Sequence, residues 1–227
     1  LIPLIEKVAS NVSFSLVPEF VDLRPFQWWN YHTPKGKKFK IDLRYTGRYF
    51  FNEKINDETL IASFRPDDKR KKLRNLLKKK VFKTYWGMSE KSEIYSEFYE
   101  QTLGRSGASP RREEKRELAK LIELAKSKFD ESISLEVLEL SINGSSRVEG
   151  FQLLLSGKGQ VYALAQCVSD EARKLNGNII LSFNSLIYAS QNCSTFDFNG
   201  ANSPLRADDK HAFGAEIIQY FNLHLGV

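Results

Sequence analysis

Thr195-Phe196-Asp197-Phe198-Asn199-Gly200-Ala201-Asn202-Ser203-Pro204 runs from an apolar strand into a polar loop, and the predicted fold is assembled around this transition. Its first four residues predict a short buried strand that carries an acid. Asn199 and Gly200 predict a turn, because both residue types tolerate positive φ. The chain then passes Gly214, a residue typical of a helix C-cap, and enters a last strand, Ile217 to Leu225. Such a strand end is typical of a ligand pocket and equally of an ordinary strand terminus.

Length and composition predict a folded protein without a membrane span. The 227 residues suffice for one or two sizeable cores, and 41% hydrophobic with 27% charged content is ordinary. There is no run of about 18 apolar residues, and the short opening segment Leu1 to Ile5 is not a signal peptide. The chain starts without Met and on apolar residues, so we expect that sequence upstream is missing.

Cysteine usage and charge give two weaker indications. Cys167 and Cys193 lie inside apolar segments, which predicts small buried side chains rather than a disulfide or a metal pair. The cytoplasm is therefore the default compartment. The net charge of +6 favours anionic partners, although much of the charge is concentrated in one helix. No residue pattern predicts the oligomeric state.

The first 65 residues contain strands and a dense aromatic cluster. Strict alternation from Phe39 to Tyr45 predicts a half-exposed strand. The cluster Pro25 to His32 is typical of a core or a domain interface. The alternative is an aromatic wall for a ligand, lined by Trp28 and Trp29 with His32 at its edge.

A strongly basic helix is predicted from Asp67 to Lys80, with eight Lys and Arg residues and a narrow stripe of leucines. One interpretation is a solvated helix held by that stripe. The other is an anion-binding face for the phosphates of a cofactor, a nucleotide or tRNA. Aromatic residues are nearly absent here, which argues against binding of single-stranded nucleic acid.

The middle of the chain predicts an antiparallel meander whose strands are Ile133 to Ile142, Val148 to Leu155 and Gln160 to Val168. Simple alternation in the third strand places its small residues on one face. These residues are Val161, Ala163, Ala165 and Cys167, whereas Tyr162, Leu164, Gln166 and Val168 face the other way.

A basic loop, Arg173 to Asn178, follows the meander and leads into a helix whose buried face begins at Ile179. A helix N-terminus offers free N–H groups and the positive end of a dipole. The loop with its Gly177 therefore predicts a site for a pyrophosphate.

The order of meander, glycine loop, helix, strand, helix-like loop and strand resembles the GNAT acyltransferase fold. Phe196 to Pro204 with Lys210 to Gly214 is similar to the bacterial GNAT-like proteins related to Fem-type (FemAB-like) aminoacyltransferases. The basic helix and Trp28-Trp29 also look like that group. The resemblance implies an α/β fold with a mixed sheet. It implies a degenerate or truncated first GNAT-like half, residues 1–65, and a more complete GNAT-like acyltransferase domain, residues 66–227.

The resemblance implies transfer of an acyl or aminoacyl group from an activated donor, with acyl-CoA expected, to a small-molecule or peptide amine. The amine would attack directly in a ternary complex, and no metal is implied. Such chemistry needs a donor held beside the amine, a backbone N–H aimed at the oxyanion and a route for the amine proton.

The resemblance also implies a set of site residues. Asp197 is the candidate base and Tyr162 the candidate acid, and the alternatives are a structural acid bonded to its turn and a packing tyrosine. The candidate donor-binding residues are Ala165, Gln166, Cys167, Arg173, Gly177, Asn178 and Ile179. The candidate acceptor-binding residues are Trp28, Trp29, His32, Asn199, Asn202, Ser203 and Lys210, and Lys210 alternatively pairs with Asp208, Asp209 or Asp197.

Two other functions remain open. Asn199 stands where an acid is usual and the glycine loop has an altered spacing, which favours a non-catalytic GNAT-like binding module. The basic helix favours an aminoacyl-tRNA-dependent, Fem-type transferase in which residues 67–80 grip tRNA.

Overall fold

The structure is a computed structural model that describes residues 2–4, 11–87, 93–105, 107, 109, 111–125, 132–202 and 209–226. From residue 11 onward its elements, in chain order, are β1 (Val12–Ser15), α1 (Arg24–Gln27), β2 (Phe39–Phe50), α2 (Asp57–Ser63), α3 (Asp67–Lys79), β3 (Phe82–Trp86), α4 (Glu93–Gly104), α5 (Arg112–Ala125), β4 (Ile133–Ile142), β5 (Gly150–Gly157), β6 (Gln160–Val168), α6 (Asp170–Lys174), α7 (Gly177–Asn192), β7 (Thr195–Asp197) and β8 (Glu216–Leu225).

All eight of these strands belong to one mixed sheet in the order β1-β8-β2-β7-β6-β5-β4-β3. The pairing of β6 with β7 is parallel, and the other strand pairs are antiparallel. A parallel pair needs a long crossover, and α6 and α7 supply it here. The α/β fold with a mixed sheet and the antiparallel meander, β4 to β6, are thus confirmed.

Helices cover both faces of the sheet and make two cores. The first core lies between the sheet and α2, α3 and α7, and the second lies under α4 and α5. α7 is the central helix of the first core because most of its residues are apolar or small and buried. Among the described residues, no helix has the length and apolar character needed to cross a membrane. The largest fully buried side chains of the two cores include Phe64, Phe183, Phe196, Tyr95, Phe98 and Phe151.

β2 is longer than the alternation from Phe39 to Tyr45 predicts, since it continues to Phe50. Gly47 lets the extended strand pass close to Lys210, because a Cβ at position 47 would lie only 3.0 Å from the Cβ of Lys210. The extension pairs with both β7 and β8. The strand therefore lies at the centre of the candidate site described below.

The two predicted halves of the chain share one sheet and one core. β2 comes from the first 65 residues and lies between β7 and β8. Leu60, Ile61 and Phe64 pack into the same core as α7. The division into a degenerate half, residues 1–65, and a more complete domain, residues 66–227, stays a prediction.

A β-bulge corrects the predicted facing of β6. Leu153 pairs with Ala165 and Leu154 pairs with Ala163, so Leu164 is an extra residue in the strand. An extra residue reverses the side-chain alternation that follows it. The face toward α7 therefore carries Val161, Ala163, Gln166 and Val168, whereas Leu164, Ala165 and Cys167 pack on the second core.

The two cysteines are free, and their environments differ. Cys167 is buried, and burial raises the pKa of its thiol to about 11. Cys193 is half-buried at the end of α7, and burial raises its pKa as well. The prediction of a small buried side chain is confirmed for Cys167 and is only partly right for Cys193.

Candidate functional site

β6 and β7 pair over only three residues and then part. The parallel register joins Gln160–Tyr162 to Thr195–Asp197. After Asp197 the chain stays beside β2, with the N–H of Phe198 donating to the Gly47 carbonyl (2.8 Å). Beyond Tyr162, β6 continues to Val168 with β5 as its strand neighbour among the described residues. A gap thus opens between the second half of β6 and the loop after β7.

The loop after β7 is built by the residues that the sequence singled out. Asn199 and Gly200 have positive φ, 54° and 51°, and the N–H of Asn199 donates to Asp197 Oδ1 (2.8 Å). The predicted turn is therefore confirmed. Asn202 Oδ1 accepts from the Tyr45 N–H (2.7 Å), so its side chain extends the edge of β2.

Lys210 braces this loop through its ammonium group. Its Nζ donates to the carbonyls of Phe198 (3.2 Å) and Gly200. Asp209, one of the acids proposed to pair with it, bonds Lys69 instead (2.8 Å). Acceptor binding by Asn199, Asn202 and Lys210 stays a prediction, and Ser203 and Asp208 lie outside the described residues.

A buried ion pair lies where β6 and β7 part. Asp197 Oδ2 accepts from Arg48 Nε (2.9 Å), and the two side chains are only 6% and 4% exposed. Asp197 Oδ1 accepts from Thr46 Oγ1 (2.5 Å) and from the Asn199 N–H. Arg48 Nη1 also donates to Glu19, whose side chain is 62% exposed. Two strands and the N-terminal segment therefore meet around one guanidinium.

Tyr162 lies directly opposite Asp197 in the parallel register. Its half-buried hydroxyl donates to Gln160 Oε1 (2.5 Å). Burial is the largest cause that raises the pKa of Tyr162, the charges of Asp197 and Glu19 add to it, and Arg48 opposes it. The phenol therefore keeps its proton at neutral pH, and its role as an acid stays a prediction.

The contacts of Asp197 favour the structural alternative over the base. Three donors already occupy its two oxygens, and one of them belongs to the turn that follows. A base role for this carboxylate stays a prediction. Sequence reasoning missed Arg48, Thr46 and Glu19. Continuing the alternation of β2 past Tyr45 would have placed Thr46 and Arg48 on one face.

The first turn of α7 lies over the open half of β6, the part from Ala163 to Val168 that does not pair with β7. The Gln166 amide nitrogen, Nε2, is 3.1 Å from the Asn178 carbonyl and 3.0 Å from Ser182 Oγ. These contacts bring the predicted donor-binding residues of β6 beside those of the helix. The side chains of Ala165 and Cys167 point to the second core, so only their backbone groups are available to a ligand in the gap.

The approach to α7 differs from the predicted loop. Ser169 Oγ accepts from the Ala172 N–H (3.0 Å) and caps α6, a helix that contains Arg173. Arg173 is exposed there. Asn176, with a φ of 63°, then turns the chain into α7.

The three N–H groups predicted to bind the donor differ in whether they have an acceptor within the protein. The Ile179 N–H donates to the Asn176 carbonyl (3.1 Å), so this group is engaged. Among the described residues, no carbonyl outside the helix accepts from Gly177 or Asn178. The first N–H groups of a helix have no intrahelical partner. Two of the three N–H groups thus have no backbone acceptor among the described residues, and donor binding by this turn stays a prediction.

Gly177 is needed for packing, which gives a testable prediction. A Cβ at this position would lie 2.7 Å from Leu140 Cδ2 and 3.1 Å from the Ala172 carbonyl. Gly177→Ala is therefore expected to lower the free energy of unfolding by roughly 1–3 kcal/mol, measured by urea denaturation. Gly104→Ala is the matched control, because it is also helical and a Cβ there meets nothing within 4 Å. Equal stability of the two variants would contradict the account.

The aromatic cluster is divided between a small core and the surface. Phe26 is buried against Phe14 and Phe39. Trp28 is 62% exposed, and Arg24 lies 5.8 Å from its ring centroid. Glu19, which precedes this cluster in the chain, pairs with Arg48. The role of Trp28, Trp29 and His32 as an acceptor wall stays a prediction.

The basic helix α3 is partly neutralised by ion pairs. Lys69, Arg70, Lys72 and Arg74 pair with Asp209, Asp67, Asp68 and Glu58. Within the residues that the structure describes, Lys71, Lys78, Lys79 and Lys80 have no ion-pair partner. Both interpretations of the helix therefore remain open.

The described residues also bear on two other kinds of site, a metal centre and an enclosed cavity. In the described ranges, no group of three or more His, Cys, Asp or Glu side chains is placed to hold a metal ion. A cavity of about 240 Å³ lies at the β3 edge of the sheet, beside Tyr85, Glu139 and Ser141. None of the predicted site residues lines it. The gap between the second half of β6 and the loop after β7 is the stronger candidate for the functional site, because the predicted donor-binding residues converge there.

Comparisons with known proteins support the fold. No family model matches the sequence, and no curated protein matches it. The chain is similar to a FemX crystal structure, with a TM-score of 0.63, 14% identity, and coverage of 78% of this chain and 61% of that one. It is similar to a conserved protein of unknown function from Bacteroides thetaiotaomicron, with a TM-score of 0.61, 10% identity, and 87% and 65% coverage.

The chain is also similar to a tandem GNAT protein from the clavulanic acid biosynthesis pathway, whose structure was solved without AcCoA. The TM-score is 0.50 and the identity 10%, with coverage of 95% of this chain and 63% of that one. The predicted GNAT-like and Fem-like resemblance is thereby confirmed for the fold. The chain spans 61% of the length of the FemX structure and 65% of that of the Bacteroides protein.

Proposed function

We propose that this protein is an acyltransferase that moves an acyl or aminoacyl group from an activated donor to an amine within a ternary complex. Acyl-CoA is the expected donor, and the acceptor is a small-molecule or peptide amine. One observation carries the proposal: β6 and β7 part directly after Tyr162 and Asp197, beside the first turn of α7. In this proposal the second half of β6 would hold the carbonyl, and the first turn of α7 would hold the phosphates of its carrier.

The donor carbonyl would lie against the open half of β6. The amine nitrogen attacks the carbonyl carbon, the C–N bond forms, and the bond to the thiolate or alkoxide leaving group breaks. A backbone N–H among Ala165, Gln166 and Cys167 would stabilise the oxyanion, and such donors are typically the largest electrostatic contribution to acyl transfer. The bulge at Leu164 supports this placement, because it changes the direction of the backbone groups that follow.

The phosphates of the donor would meet the N-terminus of α7. Gly177 and Asn178 offer N–H groups at the positive end of a helix of 16 residues. The exposed guanidinium of Arg173 would add charge from α6. Ile179 contributes to this turn through its bond to Asn176 rather than by a direct phosphate contact.

Two proton transfers complete the reaction. Tyr162 would protonate the leaving thiolate or alkoxide, because it is protonated at neutral pH and lies opposite Asp197 where the two strands part. The amine must also lose a proton. The group that accepts it is either Asp197, the candidate base, or a water molecule. The three donors on Asp197 favour water, with Asp197 holding Arg48 in place.

A Fem-type transferase that uses aminoacyl-tRNA is the second candidate. Its support is the likeness to FemX in fold and the exposed lysines of α3 that lack ion-pair partners among the described residues. A non-catalytic GNAT-like binding module is the third candidate. The occupied carboxylate of Asp197 and the helix α6 in place of an open glycine loop favour it.

One experiment separates the three functions. The purified protein is incubated with acetyl-CoA and a panel of amines, and free coenzyme A thiol is measured. Parallel reactions contain aminoacyl-tRNA and the same amines. Amine-dependent thiol release supports the proposal. Transfer from tRNA alone supports the Fem-type function, and thermal stabilisation by coenzyme A without any transfer supports the binding module.

The tRNA candidate has its own control. Binding through α3 should weaken steeply with salt and be lost when Lys71, Lys78 and Lys79 become glutamate. The same charge change at Lys35 and Lys38, on an exposed turn outside α3, should leave it nearly unchanged.

A further inference from the structure

Arg48 has two acidic partners that differ in how firmly they are held. Asp197 is 6% exposed, lies on a strand and receives three hydrogen bonds. Glu19 is 62% exposed and lies in the segment between β1 and α1. Its carboxylate therefore reaches the buried guanidinium from the surface. The Glu19 contact is thus the one that another anion can replace.

We propose that Arg48 binds a carboxylate of the acceptor, and that Glu19 occupies this position in the free protein. The acceptor is accordingly an amine that carries a carboxylate, such as an amino acid or a short peptide. The inference rests on the proposed transfer to an amine, and it adds the chemical class of the acceptor.

The chemistry of the guanidinium supports this assignment. Arginine presents several N–H donors in a planar fork that matches a carboxylate, and charged hydrogen bonds of this kind are the strong ones. Nε is committed to Asp197, whereas Nη1 faces Glu19. A substrate carboxylate would therefore meet a donor that is already oriented, and Asp197 would keep the guanidinium in place.

The position of Arg48 also suits an acceptor whose amine reaches the donor. Arg48 pairs with Asp197, and Asp197 pairs with Tyr162 on β6. Adjacent strands lie about 4.8 Å apart, so β2 and β6 are separated by roughly 10 Å. An amino acid or dipeptide that is anchored at Arg48 can therefore place its amine near the gap.

The test compares two ligands that differ only in the C-terminal group, a carboxylate in one and a neutral amide in the other. L-alanyl-L-alanine and L-alanyl-L-alaninamide are titrated by calorimetry into the wild-type protein, Glu19→Gln and Asp22→Asn. Asp22 is the matched control, since it lies on the same segment but pairs with Arg24. In Glu19→Gln, the free acid is expected to bind at least ~10-fold more tightly than the amide. It is also expected to bind about fivefold more tightly to Glu19→Gln than to wild type, whereas Asp22→Asn behaves as wild type.

Three results would overturn the inference: equal binding of acid and amide by Glu19→Gln, no binding of either by that variant, or no effect of Glu19→Gln on the acid. These readouts need no catalysis. Acyl transfer to amines without preference for a carboxylate would remove the inference and leave the proposed function. Binding that is selective for the acid, without any acyl transfer, would remove the proposed function and leave the carboxylate site at Arg48.

Discussion

Tyr162→Phe is expected to lower the rate of acyl transfer by about 10²-fold or more, because the variant loses the proton donor for the leaving group. The hydroxyl is half-buried, and Tyr162 pairs with Asp197 in the strand register at the point where β6 and β7 part. Its one described hydrogen bond goes to Gln160. Folding should therefore change little, by about 1 kcal/mol. Steady-state transfer rates with a saturating donor measure the effect.

Tyr188→Phe is the matched control for this substitution. Tyr188 is also half-buried, its hydroxyl donates to Glu136 Oε1 (2.8 Å), and its pKa is raised by burial. It lies on α7, away from the open half of β6. Full activity of Tyr188→Phe beside a large loss in Tyr162→Phe supports the acid role. Unchanged transfer by Tyr162→Phe would assign this tyrosine to packing.

The pH dependence gives a second readout of the same role. The pKa of Tyr162 lies above its ordinary value near 10, so the acid form is present at all lower pH values. Transfer should therefore persist to pH 10 and fall only as the pH rises through the raised pKa. Tyr162→Phe should remove that alkaline fall. A fall at neutral pH that Tyr162→Phe abolishes would contradict this assignment.

Asp197→Ala is expected to lower the free energy of unfolding by about 3–5 kcal/mol, because it leaves the guanidinium of Arg48 buried without its fixed partner. Both side chains are nearly inaccessible, and Glu19 can compensate only from the surface. The substitution also frees Thr46 Oγ1 and the Asn199 N–H. Urea denaturation at constant pH measures the loss.

Glu58→Ala is the control for this loss, since its pair with Arg74 is exposed on both sides and should contribute at most about 1 kcal/mol. A double variant, Arg48→Leu with Asp197→Ala, should recover part of the stability because no unpaired charge remains. A loss below ~1 kcal/mol for Asp197→Ala would show that the ion pair does not hold the strands at this point.

Local patterns in the sequence predicted most of the fold. Alternation and turn residues located the meander and the last strand, and Asn199-Gly200 located the turn after β7. The bulge at Leu164 could not be predicted from alternation, because it is defined by the pairing of β6 with β5 and not by the residues of β6 alone. The side chains of Ala165 and Gln166 consequently face opposite to the expectation.

The candidate site was only half predictable for a similar reason. Asp197 and Tyr162 stand on neighbouring strands joined by a crossover, and the order of the elements was enough to bring them together. Arg48 and Glu19 come from the first 50 residues, more than 140 positions before Asp197 in the chain. Their meeting depends on the insertion of β2 between β7 and β8, which local patterns do not encode.

The central claim is that an activated carbonyl enters where β6 and β7 part. The most direct test is to titrate ¹⁵N-labelled protein with acetyl-CoA, and with puromycin as a mimic of an aminoacylated tRNA end, while backbone amide shifts are recorded. The account predicts that one of the two ligands shifts the amides of Ala163–Cys167 together with those of Gly177 and Asn178. If both ligands leave these amides unchanged, or shift only those of α3, the gap is not a donor site and the transferase account is wrong.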